Sequence, residues 1–222
     1  MLKRIFDISM SVLALIVLAP LMLLAAIGIK LTSPGPVIYK AQRAGRNNSR
    51  FVMYKFRTMH VVQNLKSSIT AHGDPRIFPF GSLLRKLKID ELPQLFNIVL
   101  GHMSIVGPRP EAADIVDRDY QAWMMETLDM APGLASPGSI FGYTHGEEMI
   151  GAEDPEGDYR DKLLPIKLSL ELIYVRNAGF FYDLQIIVRT VIAIIQIALG
   201  KKDIPHPPEY GQASEMVAAR AG

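Results

Sequence analysis

At 222 residues, with 49% hydrophobic and 21% charged residues and a formal net charge of +2, the chain has the size of one domain and enough apolar material for a sizeable core. It contains no cysteine, which excludes disulfides, thiolate catalysis and thiolate metal sites and suits a reducing compartment. The near-neutral total hides a partition, because Lys30 to Lys88 holds twelve Lys or Arg against the single acid Asp74, whereas Arg109 to Lys162 holds thirteen acids against four bases. A basic block of this kind favours anionic headgroups or phosphate substrates. No helix-turn-helix, RNP-like or zinc pattern accompanies it, so nucleic acid is not expected as a partner.

The first element is apolar. Residues 12 to 29 carry no charge and include eleven Leu, Ile or Val, worth roughly −3 to −7 kcal/mol on insertion into a bilayer. Pro20 opposes this by about 3 kcal/mol, through a lost hydrogen bond and a clash with the preceding turn. Asp7 and the lack of a small-x-small cleavage site argue against a removable signal peptide. Lys3 and Arg4 precede the segment and Lys30, Lys40 and Arg43 follow it, which draws both ends to the cytoplasmic side. The pattern predicts a re-entrant helix-break-helix over residues 1–32, broken at Pro20; a tilted single span is the alternative.

Ser33-Pro34-Gly35-Pro36 stops that helix, and two strand-like runs, Val37 to Gln42 and Phe51 to Thr58, predict a hairpin. The period of two puts Lys55 and Arg57 on one face, where they face either substrate phosphate or lipid headgroups. Asp74-Pro75-Arg76 and Pro79-Phe80-Gly81 read as loop, followed by a short basic helix around Leu83 to Leu87.

In Lys88-Ile89-Asp90-Glu91-Leu92-Pro93-Gln94-Leu95, Asp90 is a favourable N-cap and Pro93 fits a first turn, so a helix is predicted from Asp90 to Gly101. Its start would stabilise carboxylates and attract phosphates. Successive helical residues point about 100° apart, so Asp90 and Glu91 would not face each other. One is free to attack an electrophile while the other holds a cation. Taken alone, the dipeptide reads as a solvated acidic N-cap.

Beyond Gly107-Pro108-Arg109-Pro110, Glu111 to Leu128 is predicted as one amphipathic helix with Ile115, Val116, Tyr120, Trp123 and Thr127 on one side and Trp123 as a core or interfacial anchor. Residues 131 to 161 read as a long functional loop or lid. Its acids Glu147, Glu148, Glu153, Asp154, Glu156 and Asp158 match no calcium-loop template and are expected in solvent. Helical patterning returns at Ile166 to Asn177 and Asp183 to Leu199, the latter with a polar stripe of Gln185, Arg189 and Gln196 that suits a membrane interface or a buried position. From Ile204 the composition predicts a flexible tail. The expected class is α+β, mainly helical, with a re-entrant membrane helix over 1–32, a catalytic region with a short β-hairpin and amphipathic interfacial helices over 33–202, and a flexible tail over 203–222.

An ordered set of short motifs runs along nearly the whole chain: Lys3-Arg4 with Phe6-Asp7, Ser33-Pro34-Gly35-Pro36-Val37, Gln42-Arg43 with Gly45-Arg46, Lys55-Phe56-Arg57-Thr58-Met59 and Asp74-Pro75-Arg76-Ile77. It continues through Asp90-Glu91-Leu92-Pro93-Gln94-Leu95 with Asn97, Met103-Ser104 and Val106-Gly107-Pro108-Arg109-Pro110, and more loosely through Tyr174, Asn177, Asp183-Leu184 and Thr190. In this the chain resembles the bacterial sugar transferases, the monotopic phosphoglycosyl transferases that begin glycan assembly on a polyprenyl phosphate. The resemblance implies a UDP-sugar donor, a polyprenyl phosphate acceptor and release of UMP, on the cytoplasmic face of the bacterial inner membrane, as a first membrane step of exopolysaccharide or other glycan assembly. It further implies Asp90 as nucleophile, Glu91 as ligand of an essential magnesium ion (Mg2+), and Arg85, Arg109 and Lys55 as phosphate contacts. Ala19-Pro20 stands where the family often has Ser-Pro.

Three departures touch substrate contacts: His102 where Asp is usual, Phe78 for a common Thr, and Leu134-Ala135-Ser136 where Ile-Thr-Gly usually follows Pro132-Gly133. His102 is expected to be structural or solvent-facing, since an acceptor phosphate needs little deprotonation. Other readings of the residues are a general-base role for Asp90, a membrane-associated glycosyltransferase releasing UDP, and a non-catalytic membrane-anchored binding protein.

Overall fold

The structure, a computed structural model, describes residues 2–61, 74–151, 153–201 and 203–221. Lys66 of the basic block and the side chain of Glu147 in the acidic run lie outside the described residues. The architecture is mainly helical with small sheets, as expected.

Helix α1 (Leu2–Thr32) packs one narrow stripe on the rest of the protein. Asp7, Ser11, Ala25 and Ile29 are buried, with Ala14, Leu15, Met22 and Ala26 packed between them. The remaining faces expose Ile16, Val17, Leu23 and Leu24. Both ends are fastened. Arg4 donates to the carbonyls of Ile98 and Val99 at 2.7 and 3.0 Å, and Asp7 accepts from the Ser104 hydroxyl at 2.8 Å. At the other end, buried Arg57 donates to the Ser33 hydroxyl and carbonyl at 2.7 and 2.8 Å and to the Pro36 carbonyl at 2.6 Å. Arg57 is thus corrected: it meets neither substrate phosphate nor headgroups. The break expected at Pro20 is also corrected, because α1 is one helix with Pro20 inside it on an exposed face. Packing on both sides of the proline holds the helix together there.

Strands β1 (Ile38–Ala44) and β2 (Arg50–Phe56) form the expected hairpin, antiparallel from Ile38↔Phe56 to Ala44↔Arg50. The chain turns through Asn47 and Asn48 at φ 53° and 58°, a conformation that Asn tolerates better than most residues. Helix α2 (Pro79–Lys86) starts earlier than expected, with Pro79 in its first turn, and buries Leu84 against Ile29, Phe56 and Phe78.

Helix α3 (Gln94–Leu100) ends at Gly101, where the sequence places its end, and a φ of 93° gives that glycine a left-handed cap. Its buried Asn97 accepts from the Tyr54 amide at 2.9 Å and donates to the Val52 carbonyl at 2.7 Å, which locks α3 to β2. Strand β3 (Ser104–Val106) pairs in parallel with β4 (Gly133–Ala135). The chains meet so closely that a Cβ on Gly133 would lie 2.0 Å from the Gly107 amide nitrogen.

The expected helix from Glu111 to Leu128 is two pieces, α4 (Ala113–Asp119) and a 3-10 helix (Ala122–Leu128), separated by extended Tyr120 and Gln121. The expected side chains still turn inward, because the break lets Tyr120 and Trp123 both pack on the main core. The long loop over 131–161 is also corrected. It holds β4, α5 (Pro137–Thr144), a 3-10 turn (Gly146–Met149), α6 (Pro155–Asp158) and a π-turn (Tyr159–Leu163). Two caps order it: Ser136 accepts from the Ser139 amide at 2.9 Å and Asp154 from the Gly157 amide at 3.0 Å, each followed by proline. The acids Glu148, Glu153 and Asp154 are exposed, as expected.

Helix α7 (Leu164–Asn177) is the central helix, buried on every side through Tyr174. Helix α8 (Phe180–Ala198) buries Asp183, Ile186 and Ala193 and exposes Phe180, Phe181, Leu184, Val188, Ile192 and Ile195. The flexible tail is corrected too. Helix α9 (Tyr210–Ala221) packs on the main core through fully buried Ala213, and Glu209 just before it accepts from Tyr182 and Arg189 at 2.6 and 2.8 Å.

Candidate active site

The turn between α2 and α3 carries the two central acids. Asp90 is not the N-cap of a helix; it lies in a 3-10 turn (Ile89–Glu91), and Pro93 precedes the first residue of α3. The turn is entered through Lys88 in the left-handed region, with φ 56° and ψ 18°. Asp90 and Glu91 are both buried. Their local geometry is therefore set by tertiary packing on β2, not by helix capping.

Glu91 is held from three elements. Lys55 of β2 donates to Oε1 at 3.0 Å, Arg109 donates to the same oxygen at 2.6 Å, and the Tyr143 hydroxyl of α5 donates to Oε2 at 2.7 Å. Arg109 also donates to the Tyr143 hydroxyl at 2.6 Å, closing the ring of contacts. Burial alone would raise the Glu91 carboxyl, but the charges of Arg109 and Lys55 hold it well below the usual range. Burial pushes the Tyr143 hydroxyl well up, so it stays a donor.

Asp90 differs. Its Oδ1 is buried and has no hydrogen-bond partner. Burial raises its carboxyl, and neighbouring Glu91 adds to the rise, against the opposing charges of Lys55, Lys88 and Arg85. Burial lowers the Lys55 ammonium against the pull of Glu91, and lowers Lys88 to about 8. The site is a carboxylate with an open oxygen, ringed by cations, beside a second carboxylate fixed in place.

A further acid stands behind this ring. Glu171 of α7 is fully buried; its Oε1 accepts from the Arg109 amide at 3.1 Å and the Ser136 hydroxyl at 2.7 Å, and its Oε2 has no partner. Burial raises its carboxyl to about 7. Glu171 thus joins the loop bearing Arg109 to the cap of the helix bearing Tyr143.

Of the residues singled out in the sequence, Lys55, Asp90, Glu91 and Arg109 come together. Arg85 on α2 contributes charge at Asp90 without a hydrogen bond to it. Pro20 has no part in the cluster, and His102 is exposed, its ring 5.9 Å from Phe51. Sequence reasoning missed Tyr143, which lies in a segment read as loop, and Glu171, whose helix gave no sign of facing the acids. Lys88 was visible next to Asp90 and was not assigned a role.

No group of three or more His, Cys, Asp or Glu gathers at one point among the described residues. Magnesium is commonly held by one or two carboxylates together with substrate phosphates and water. Glu91 Oε2 accepts a single hydrogen bond and Asp90 Oδ1 none, so hard anionic oxygens remain and the donor set fits that mode.

The model of the bacterial sugar transferase family matches residues 1–197. The chain is 39% identical over 203 residues to exopolysaccharide production protein PSS of Rhizobium leguminosarum bv. phaseoli, covering 90% of this chain and 97% of that protein. It is 36% identical to the UDP-glucose:undecaprenyl-phosphate glucose-1-phosphate transferase of Xanthomonas campestris pv. campestris, covering 87% of this chain and 38% of that one. It is also 36% identical to the UDP-N-acetylgalactosamine-undecaprenyl-phosphate N-acetylgalactosaminephosphotransferase of Aeromonas hydrophila, covering 87% and 43%. The chain therefore spans about two fifths of the length of these last two relatives.

Proposed function

The chain belongs to the bacterial sugar transferase family, and from that premise we propose that it transfers a sugar 1-phosphate from a UDP-sugar to a polyprenyl phosphate and releases UMP, through a phosphosugar carried on Asp90. The observation that supports this most directly is the buried, partnerless Oδ1 of Asp90 amid the charges of Lys55, Lys88 and Arg85. A desolvated carboxylate with an uncommitted oxygen is a better nucleophile than one sharing its lone pairs with donors. Oδ1 attacks the phosphorus attached to the sugar, the bond from that phosphorus to the bridging oxygen of the diphosphate breaks, and UMP leaves with the electron pair. An oxygen of the lipid phosphate then attacks the same phosphorus, the bond to Asp90 breaks, and the carboxylate is restored as lipid diphosphosugar departs.

Both substrates are anions, so the protein must offset their charge. Lys55 and Arg109 contact Glu91 and Arg85 contributes charge at Asp90, and Arg109 is oriented by Glu91 and Tyr143. Glu91, together with substrate phosphates, would hold a magnesium ion, which would supply further neutralisation of the diphosphate. The exposed apolar faces of α1 and α8 fit immersion in one leaflet, and α1, one helix pinned to the same body near Arg4 and at Ser33, fits a segment whose two ends stay on the cytoplasmic side.

The test is a screen of UDP-sugars, beginning with UDP-glucose and UDP-N-acetylgalactosamine, against undecaprenyl phosphate and magnesium. UMP and a lipid-linked diphosphosugar are expected; release of UDP would show transfer of the sugar alone and overturn the reading.

A further inference from the structure

Among the described residues, the ammonium of Lys88 has no hydrogen bond and no ion pair, although Asp90 and Glu91 are its neighbours in charge. The other cations that touch Glu91 are committed to it: Lys55 and Arg109 both donate to Oε1. Lys88 rests instead on the face of Tyr143, its Nζ 3.7 Å from the ring centroid. That ring is itself fixed, since its hydroxyl bridges Arg109 and Glu91. The backbone at Lys88 is left-handed, with φ 56°, a conformation that glycine adopts freely and lysine does not. Strain retained beside reactive groups points to a use for the side chain it presents.

The use follows from charge. An anion brought to Asp90 Oδ1 would lie among Lys55, Arg85 and Lys88; Lys55 is committed to Glu91, whereas Lys88 has no carboxylate to surrender before it can bind and is already held in place on a ring face. A lysine ammonium meets phosphate oxygens as a compact point charge and needs no planar fork to do so. A ring face beneath it stabilises the cation without consuming a donor.

We propose that Lys88 is a substrate-contacting residue whose ammonium, poised on Tyr143 by the left-handed turn, binds a phosphate oxygen of the anionic substrate at Asp90. This rests on the phosphoryl-transfer reading above and adds a residue to it. The phosphate belongs to the nucleotide donor or to the lipid acceptor, and the two sources are separable by experiment.

Binding of UDP and of inorganic pyrophosphate to the purified full chain is measured by calorimetry for the wild type, Lys88→Arg, Lys88→Gln and Lys88→Gly. Loss of one charge-assisted contact predicts about tenfold or weaker UDP binding in Lys88→Gln and Lys88→Gly, with Lys88→Arg much closer to wild type. Lys88→Gly should melt no lower than the wild type because glycine relieves the left-handed turn, so a lost fold cannot account for lost binding. Unchanged UDP binding with a raised KM for polyprenyl phosphate assigns the contact to the acceptor and upholds the proposal. Unchanged UDP and pyrophosphate binding together with an unchanged acceptor KM overturns it. If the wild type binds pyrophosphate but not UDP, the nucleotide reading fails, while weaker pyrophosphate binding by Lys88→Gly still upholds the role of Lys88.

Discussion

A carboxylate that accepts hydrogen bonds from two cations and a hydroxyl has little nucleophilicity to spare, and Glu91 is in that state, whereas Asp90 Oδ1 accepts none. On the proposed reaction, this difference favours Asp90 over Glu91 as the attacking group. Asp90→Asn should lower turnover by on the order of a thousandfold or more and leave the melting temperature unchanged or higher, because the amide removes a desolvated charge. UMP release near the wild-type rate by this variant would rule out attack by Asp90. Glu91→Gln should behave differently. It leaves Lys55 and Arg109 facing a neutral amide, and removing one partner of a buried ion pair costs on the order of 3–5 kcal/mol, so a lowered melting temperature is expected along with slower turnover. Its activity should also need more magnesium than the wild type, and an unchanged magnesium titration would place the metal elsewhere.

Helix α7 is the element whose burial governs the pH response. The Glu171 carboxyl, ordinarily near 4.5, is raised to about 7 by burial. Between those values the native protein holds a proton that the unfolded chain has lost, so stability falls as pH rises through that window and levels off above it. Glu171→Gln keeps an oxygen for the Arg109 amide and Ser136 while removing the titration. Its advantage over the wild type in thermal unfolding should grow from about pH 4.5 to about pH 7, reaching on the order of 3 kcal/mol; equal pH slopes for the two proteins would refute the assignment. Such a feature was not legible in the sequence, because Lys167 and Glu171 interrupt an apolar helix and only the arrival of Glu111, Tyr159, Ser136 and the Arg109 amide explains them. The hairpin, the C-terminal end of α3 and the end of α1 were legible, since alternation, Gly101 and the prolines after Ser33 are local signals. Helix α9 was hidden by its small and polar composition: Ala213 is buried by tertiary packing alone, and Arg220 is held over Trp123 with its guanidinium 4.0 Å from the ring centroid. The acids and Arg109 were found through a run of short motifs, whereas Tyr143 enters from a segment read as loop.

At the scale of the whole molecule, the proposed reaction requires one body to hold a membrane-bound acceptor and a soluble donor over a single carboxylate. Helices α1 and α8 both expose apolar faces suited to a membrane, and the fastening of α1 near Arg4 and again at Ser33 makes its two ends neighbours of the same domain. With no native cysteine to interfere, cysteines introduced near residues 2 and 32 should both react from the cytoplasmic side; labelling from opposite faces would show a spanning helix. Placement at the surface also bears on kinetic order. Two anionic substrates crowded into one cation-lined site would repel each other, and the proposed covalent intermediate on Asp90 would let them occupy it in turn. Incubation with a UDP-sugar and magnesium but no lipid should therefore release at most one UMP per active site and leave an adduct with the mass of the phosphosugar on Asp90. Adding polyprenyl phosphate should discharge that adduct as lipid-linked diphosphosugar, because the intermediate closing the first half-reaction must open the second. Product formed only when both substrates are present, with no adduct after rapid quenching, would instead mean direct attack by the lipid phosphate, and Asp90 would then act as a base.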